Sequence, residues 1–194
     1  MSGSPVQLAV IVGSTRDGRF GPTVATWFAE HARQHGDVKV DVIDLAEARL
    51  PVHLSSEPGL EGARALAAVS PRLAAADAFA VVTPEYNHSF PASLKNAIDW
   101  HFTEWQAKPV GFVSYGGISG GLRAVEHLRQ VFAELHAVTV RETVSFHGAS
   151  SQFDEAGRPT DPATCGAAAT KLLDQLVWWG RALRSARAEQ PYAA

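Results

Sequence analysis

Thr83-Pro84-Glu85-Tyr86-Asn87-His88-Ser89-Phe90-Pro91 is the stretch from which the fold is read. It follows an apolar run at 78–82 and precedes a run with helical spacing at 92–101. A strand that stops at a polar turn before a helix is where α/β proteins place ligands. Pro84 and Pro91 fix φ and remove two backbone donors, which stiffens the loop. A phenol, an amide, a hydroxyl and exposed N–H groups suit holding a flat polar ligand better than proton chemistry.

Working outward, residues 6–12 (VQLAVIV) form a near-continuous apolar run ending at Gly13-Ser14, which reads as a buried parallel strand. Pro22 fits a first helical turn, and Val24, Trp27, Phe28 and Ala32 recur at helical spacing to about His35. Residues 38–45 (VKVDVIDL) alternate apolar with Lys39, Asp41 and Asp44, so this strand belongs near an edge. Residues 50–60 read as loop, and Leu66, Val69 and Leu73 mark a helix ending near Asp77. A fourth strand at 109–114 runs into a glycine-rich turn at 115–121. The stripe Leu122, Val125, Leu128, Phe132 and Leu135 then marks a helix. A fifth strand is expected at 137–144, a polar loop at 147–162 with a functional or interface role or simple mobility, and a last helix at about 163–187. Strands alternating with helices predict a parallel sheet covered on both faces. The small doubly wound order 2-1-3-4-5 brings the loops after strands one, three and four to one carboxyl edge.

Composition narrows the class. A chain of 194 residues fits one domain, with 46% hydrophobic and 19% charged residues as in soluble globular proteins. A net charge of -3 gives no basic footprint for nucleic acid or an anionic membrane. The apolar runs are too short to span a bilayer, and the N-terminus lacks a signal-peptide pattern. One cysteine, Cys165, excludes an internal disulfide and fits a reducing compartment, so a cytoplasmic location is expected.

The loop after the first strand, Gly13-Ser14-Thr15-Arg16-Asp17-Gly18-Arg19-Phe20-Gly21, reads as a phosphate cradle. Glycines allow close backbone approach, two hydroxyls can donate, Arg16 and Arg19 bring charge, and the following helix offers free N–H groups. The Gly-Lys-Ser/Thr ending of nucleoside-triphosphate loops is absent, as is the G-x-G-x-x-G fingerprint. A held phosphomonoester fits better than a transferred one, and a solvated loop with two surface arginines is the plain alternative.

Three segments carry a family likeness: GSTRDGRFG at 13–21, PEYNHSFPASLKNAIDW at 84–100 and SYGGISGG at 114–121. Together they resemble the signatures of the NADPH-dependent FMN reductases, which include quinone, azo-dye and chromate reductases. The resemblance implies a flavodoxin-like three-layer α/β/α sandwich with bound FMN and NADPH or NADH as co-substrate. The electron acceptor would be a small molecule: a quinone, free flavin, azo compound or metal oxyanion. It implies that Ser14, Arg16 and Arg19, with Phe20 and Gly21, hold the FMN phosphate. Pro84, Glu85, Tyr86, Asn87 and Ser89 would line the isoalloxazine ring, largely through backbone groups. Tyr115, Gly116, Gly117 and Ser119 would approach the ring's other end. Flavin N5 would carry hydride in a ping-pong cycle, so no acid–base residue is assigned. The resemblance further implies a homodimer or homotetramer.

Other readings compete. An FMN-binding electron carrier or redox sensor without NAD(P)H turnover would use the same loops. Gly117-Ile118-Ser119-Gly120-Gly121 matches G-x-S-x-G, so a serine hydrolase using Ser119 is weighed, although Tyr115-Gly116-Gly117 displace the serine from the strand end. His88 is read as an exposed loop histidine or intersubunit contact rather than a proton donor. His31 and His35 are read as a solvated helix face, Lys95 and Asp99 as an i,i+4 pair, and Cys165 as a packed small residue. Trp100, Trp105, Trp178 and Trp179 are hard to place in the domain's own core, and an interface containing Trp100 and Trp105 is expected.

Overall fold

The computed structural model describes residues 4–193. Its sheet has five strands in the order β2-β1-β3-β4-β5, with every neighbouring pair parallel. The strands are β1 (Val6–Val12), β2 (Val38–Asp44), β3 (Ala78–Pro84), β4 (Pro109–Gly116) and β5 (Val138–His147). The helices are α1 (Gly21–Gln34), α2 (Leu45–Ala48), α3 (Gly59–Ala75), α4 (Ala92–Asp99), α5 (Leu122–Glu134) and α6 (Pro162–Glu189). Each β-helix-β step crosses over and returns parallel, which accounts for the doubly wound order.

Two apolar layers flank the sheet. Val24, Phe28, Leu172, Leu173 and Leu176 of α1 and α6 pack on one face. Val69, Leu73, Leu94, Ile98, Leu128 and Phe132 of α3, α4 and α5 pack on the other. β3, covered on both faces, is buried along its whole length, whereas β2 alternates as an edge strand does.

The structure departs from the sequence reading in several places. β4 runs on to Gly116 and β5 to His147, so Tyr115 and Gly116 are strand residues rather than turn. Their ladder partners, Phe146 and His147, extend the pairing past the point where sequence glycines suggest a break. A short helix, α2, follows β2 directly because the Asp44 carboxylate caps it, accepting from the Ala46 N–H at 3.0 Å. The 148–161 segment is anchored: Phe153 is buried, with Phe20 and Phe146 ring centroids at 5.3 and 4.8 Å. The aromatic expectation is corrected at Trp105, which lies in the protein's own core against Phe79 and Phe132 and donates to the His101 carbonyl at 3.0 Å. Trp100 is half-buried and donates to the Pro51 carbonyl at 2.7 Å, while Trp178 and Trp179 are exposed on α6. His31 and His35 bond Thr170 and Asp174 of α6, joining two helices rather than facing solvent alone.

A buried lysine closes the amino edge of the sheet. Lys108 is 6% exposed and donates to the Leu73 and Ala74 carbonyls at 3.0 and 2.8 Å, satisfying the end of α3. Burial, and secondarily the nearby Arg187, lower its ionisation from 10.5 to about 8. The unfolded chain then binds more protons than the folded one between those values, so stability rises with pH across that window. Urea unfolding should show a gain of about 2 kcal/mol between about pH 7.5 and 9.5. Lys108→Met should lack that gain; equal slopes in the two proteins would refute the assignment.

Candidate functional site

The loops after β1, β3 and β4 converge at the carboxyl edge, where strand order reverses between β1 and β3. Their side chains and backbone tie the three loops to one another. The Ser14 hydroxyl shares a hydrogen bond of 2.7 Å with the Tyr86 hydroxyl, joining the first loop to the second. Ser93, in the first turn of α4, donates to the Gly13 carbonyl at 2.7 Å. The Glu85 N–H donates to the Tyr115 carbonyl at 3.2 Å, joining the second loop to β4.

The β3–α4 loop begins with a tight turn. Tyr86 and Ser89 bond each other reciprocally, Tyr86 N–H to Ser89 O at 2.8 Å and Ser89 N–H to Tyr86 O at 3.1 Å. Asn87 and His88 between them have φ of 49° and 75°, the left-handed pair that a type I′ turn needs. Asn and His tolerate this region better than most side chains. With the Glu85, Tyr86 and Ser89 N–H groups engaged, Asn87, His88 and Phe90 hold the loop's uncommitted N–H groups among the described residues. His88 is exposed, and its Nδ1 lies 3.0 Å from the Arg123 guanidinium.

The β1–α1 loop divides its polar groups in two. Arg19 points inward: its guanidinium grips Asp44 at 2.5 and 2.7 Å and donates to the Ser14 carbonyl at 2.8 Å. Its charge is therefore engaged by the end of β2. Ser14 is fully buried. Thr15 and Arg16 are exposed, and Arg16 has no ion pair among the described residues. α1 starts after Phe20 with no side-chain cap, but Pro22 has no N–H, and the Thr23 and Val24 N–H groups donate to the Phe20 carbonyl at 3.1 and 3.4 Å. The exposed, uncommitted N–H groups here are therefore those of residues 15–18 in the loop rather than of the helix end.

Tyr115 is placed differently from the sequence expectation. Its side chain is 5% exposed and packs behind the first loop, edge-on to Phe20 at 6.1 Å, rather than lying along the open end of the crevice. Its hydroxyl is buried without a hydrogen-bond partner among the described residues, and a Cβ on Gly21 would stand 2.8 Å from it. Burial first, and then the Tyr86 phenol, push its ionisation well above the ordinary phenol range; neighbouring Ser14 and Arg19 offset part of this. Ser14 influences it through proximity, since the hydrogen bond of Ser14 goes to Tyr86.

Ser119 is likewise engaged. Its hydroxyl donates to the Glu85 carboxylate, and Arg123 completes the carboxylate's shell at 2.7 Å. Burial opposes ionisation of Glu85, but Ser119 and Arg123 together outweigh it and hold the carboxyl below its ordinary value. A hydrolase elbow needs a histidine on its serine, whereas here the partner is a carboxylate, and Nδ1 of the nearby His147 faces the Ile118 carbonyl at 3.1 Å. Gly117 borders open space, with nothing within 4 Å of where a Cβ would stand.

Several participants escape sequence reading. Asp44, Ser93, Arg123 and His127 each act across the fold, on partners at least 25 residues away in the chain. Only Asp44 left a signal, as the acidic end of an edge strand beside β1.

The resulting crevice has Arg16 and the exposed backbone of residues 15–18 at one side, N–H groups without a partner among the described residues in the middle, and Gly117 facing open space at the other. No cluster of metal-binding side chains occurs among the described residues. Comparisons with known proteins show what the chain is similar to. In sequence, an NAD(P)H-dependent FMN reductase of Schizosaccharomyces pombe is 39% identical over 125 residues, 59% of this chain and 60% of that protein. The chain thus spans three fifths of that relative's length. A quinone reductase of Escherichia coli is 33% identical over 143 residues, 71% of this chain and 74% of that protein. In structure, the flavoenzyme NAD(P)H:(acceptor) oxidoreductase of Paracoccus denitrificans superposes with a TM-score of 0.70. It covers 91% of this chain and 98% of that one at 23% identity, a likeness of fold. The sequence profile of the NADPH-dependent FMN reductases matches residues 6–151, which span all three loops. By that match and the loops it covers, the chain belongs to the NADPH-dependent FMN reductase family.

Proposed function

We propose that this protein is an NAD(P)H-dependent oxidoreductase that binds FMN and serves a small-molecule acceptor in a ping-pong cycle. The acceptor class is a quinone, free flavin, azo compound or metal oxyanion. When bound, FMN would supply the redox chemistry at N5, taking a hydride from NADPH or NADH and passing two electrons on. The chain's own residues bind and orient. Arg16, Thr15 and the backbone N–H groups of residues 15–18 suit a phosphate, since they are exposed and uncommitted. Ser14 and Arg19 shape that loop from behind rather than meeting the phosphate through their side chains. Pro84, Asn87 and the turn to Ser89 form a rigid rail with two N–H donors for a flat ring. Gly117 lets the ring's far end approach the backbone, whereas the side-chain position of Gly116 is taken up by Gly121 and Glu85, 3.2 and 3.7 Å from where a Cβ would stand.

The observation that carries this reading is the pairing of uncommitted donors with loops already bonded to one another at a topological switch point. A homodimer or homotetramer is part of the proposal, supported by the exposed Trp178–Trp179 pair. So is a cytoplasmic location, supported by a single cysteine. The visible spectrum of the purified protein tests the core of it. Oxidised-flavin bands, release of FMN on heating, and NADPH consumption with a quinone are the expected results. Protein that stays colourless after incubation with FMN would overturn the reading, and FMN binding without turnover would favour an electron carrier.

A further inference from the structure

Glu85 belongs to the second loop, yet its side chain turns away from the first loop and toward β4 and α5. Its side chain is 7% exposed, so the carboxylate is nearly removed from water and needs partners. It has two, both beyond Gly116: the Ser119 hydroxyl in the β4–α5 turn and the Arg123 guanidinium in the first turn of α5. Arg123 reaches back to the His88 ring at 3.0 Å, and the Ser89 hydroxyl meets His127 of α5 at 2.9 Å. Each of these contacts spans about 35 residues of chain and joins the same two walls of the crevice.

We propose that Glu85 is a positioning residue, whose carboxylate fixes the 117–121 turn against the 84–89 loop before any ligand arrives. Other contacts hold the backbone of the turn, among them His147 Nδ1 at 3.1 Å from the Ile118 carbonyl, but no other side chain among the described residues bonds the Ser119 hydroxyl. Gly117 borders open space and Ile118 is 91% exposed, so the segment lacks apolar burial of its own. The Gly120 carbonyl accepts from Ser114 and Ser145 at 2.8 and 2.9 Å, which anchors only the end of the turn nearest α5. The Gly117 carbonyl accepts from Gly120 and Gly148 through backbone N–H groups. The side chain of Ser119, between these points, is held by Glu85. A charge-assisted bond to a buried carboxylate is the stronger kind, and removing its acceptor leaves Arg123 without its ionic partner. Holding both walls in place in advance lowers the ordering cost of binding a flat ligand between them. Burial disfavours the charged carboxylate, yet Ser119 and Arg123 keep it ionised, so the clamp persists at neutral pH.

The test uses the full chain without ligand and then with FMN; only the second arm rests on the FMN reading. Hydrogen exchange of the 117–121 amides should accelerate about tenfold or more in Glu85→Ala, while α6 amides stay protected. Glu85→Gln keeps an acceptor for Ser119 and should recover most of that protection. FMN titration should show affinity about tenfold weaker in Glu85→Ala than in wild type, with Glu85→Gln between them. If Glu85→Ala does not fold, Ser119→Ala and Arg123→Ala remove the two contacts singly, and each should accelerate exchange in the same turn. Unchanged exchange in the folded variants overturns the assignment. Wild-type protein that binds no FMN would overturn the cofactor reading and leave the exchange result to judge Glu85.

Discussion

Gly121→Ala is expected to destabilise the protein by about 3–5 kcal/mol, the sum of backbone strain and overpacking. Gly121 has φ of 87°, a region that side chains rarely adopt. An added Cβ would stand 2.7 Å from the Ser114 Cβ and 3.0 and 3.1 Å from the Tyr115 N and O atoms. These are atoms of β4, the strand between β3 and β5, and a backbone cannot give way as the end of a flexible side chain can. Relief would require the turn to lift off the strand, and with it the Gly120 carbonyl that Ser114 and Ser145 bond. For a chain of this size the loss corresponds to a fall of roughly 10 °C in Tm. Thermal unfolding followed by circular dichroism measures it, and a fall of under about 2 °C would show that the turn relaxes at little cost. Because the same turn bears Ser119, folded variant should also bind FMN more weakly.

This position illustrates what could be read in the chain beforehand. The glycines of 114–121 announced a turn beside a strand, and strand order followed from alternating apolar and amphipathic segments. Strong local patterns of this kind need no partner to be recognised. What they do not give is where a side chain finds its partner. Ser119 and Glu85 could both be placed at the carboxyl edge, but nothing in their spacing says that one bonds the other. Tyr115 reads as part of a flexible turn because glycines follow it. The ladder to β5 extends the strand through it and turns its ring into the core beside Phe20. Trp105 reads as an unplaced aromatic because its pocket is assembled from β3 and α5, far away in sequence. Tertiary packing decides such cases, and local propensity is silent about it.

The arginines of the first loop show the same limit with a measurable consequence. Arg16 and Arg19 look equivalent in sequence, yet only Arg19 faces a carboxylate: Asp44, which β2 delivers to the same edge because it pairs with β1. Both side chains are largely buried, 18% and 15% exposed, and the contact is bidentate, so this pair is worth more than a surface ion pair. Asp44 also caps α2 through Ala46. Asp44→Ala removes both functions and leaves the guanidinium of Arg19 without its ionic partner, at an expected cost of about 3–4 kcal/mol. Arg19→Met leaves the carboxylate unpaired in the same way and also frees the Ser14 carbonyl. With both partners removed, no uncompensated charge remains, so Arg19→Met/Asp44→Ala should be less destabilised than the sum of the single variants by about 2 kcal/mol. Urea midpoints of the four proteins measure that coupling directly. Strictly additive losses would show that Asp44 acts through its helix cap alone and that Arg19 is available to a ligand. With coupling present, either single variant should loosen the 13–21 loop and weaken FMN binding about tenfold, although neither side chain needs to touch the phosphate.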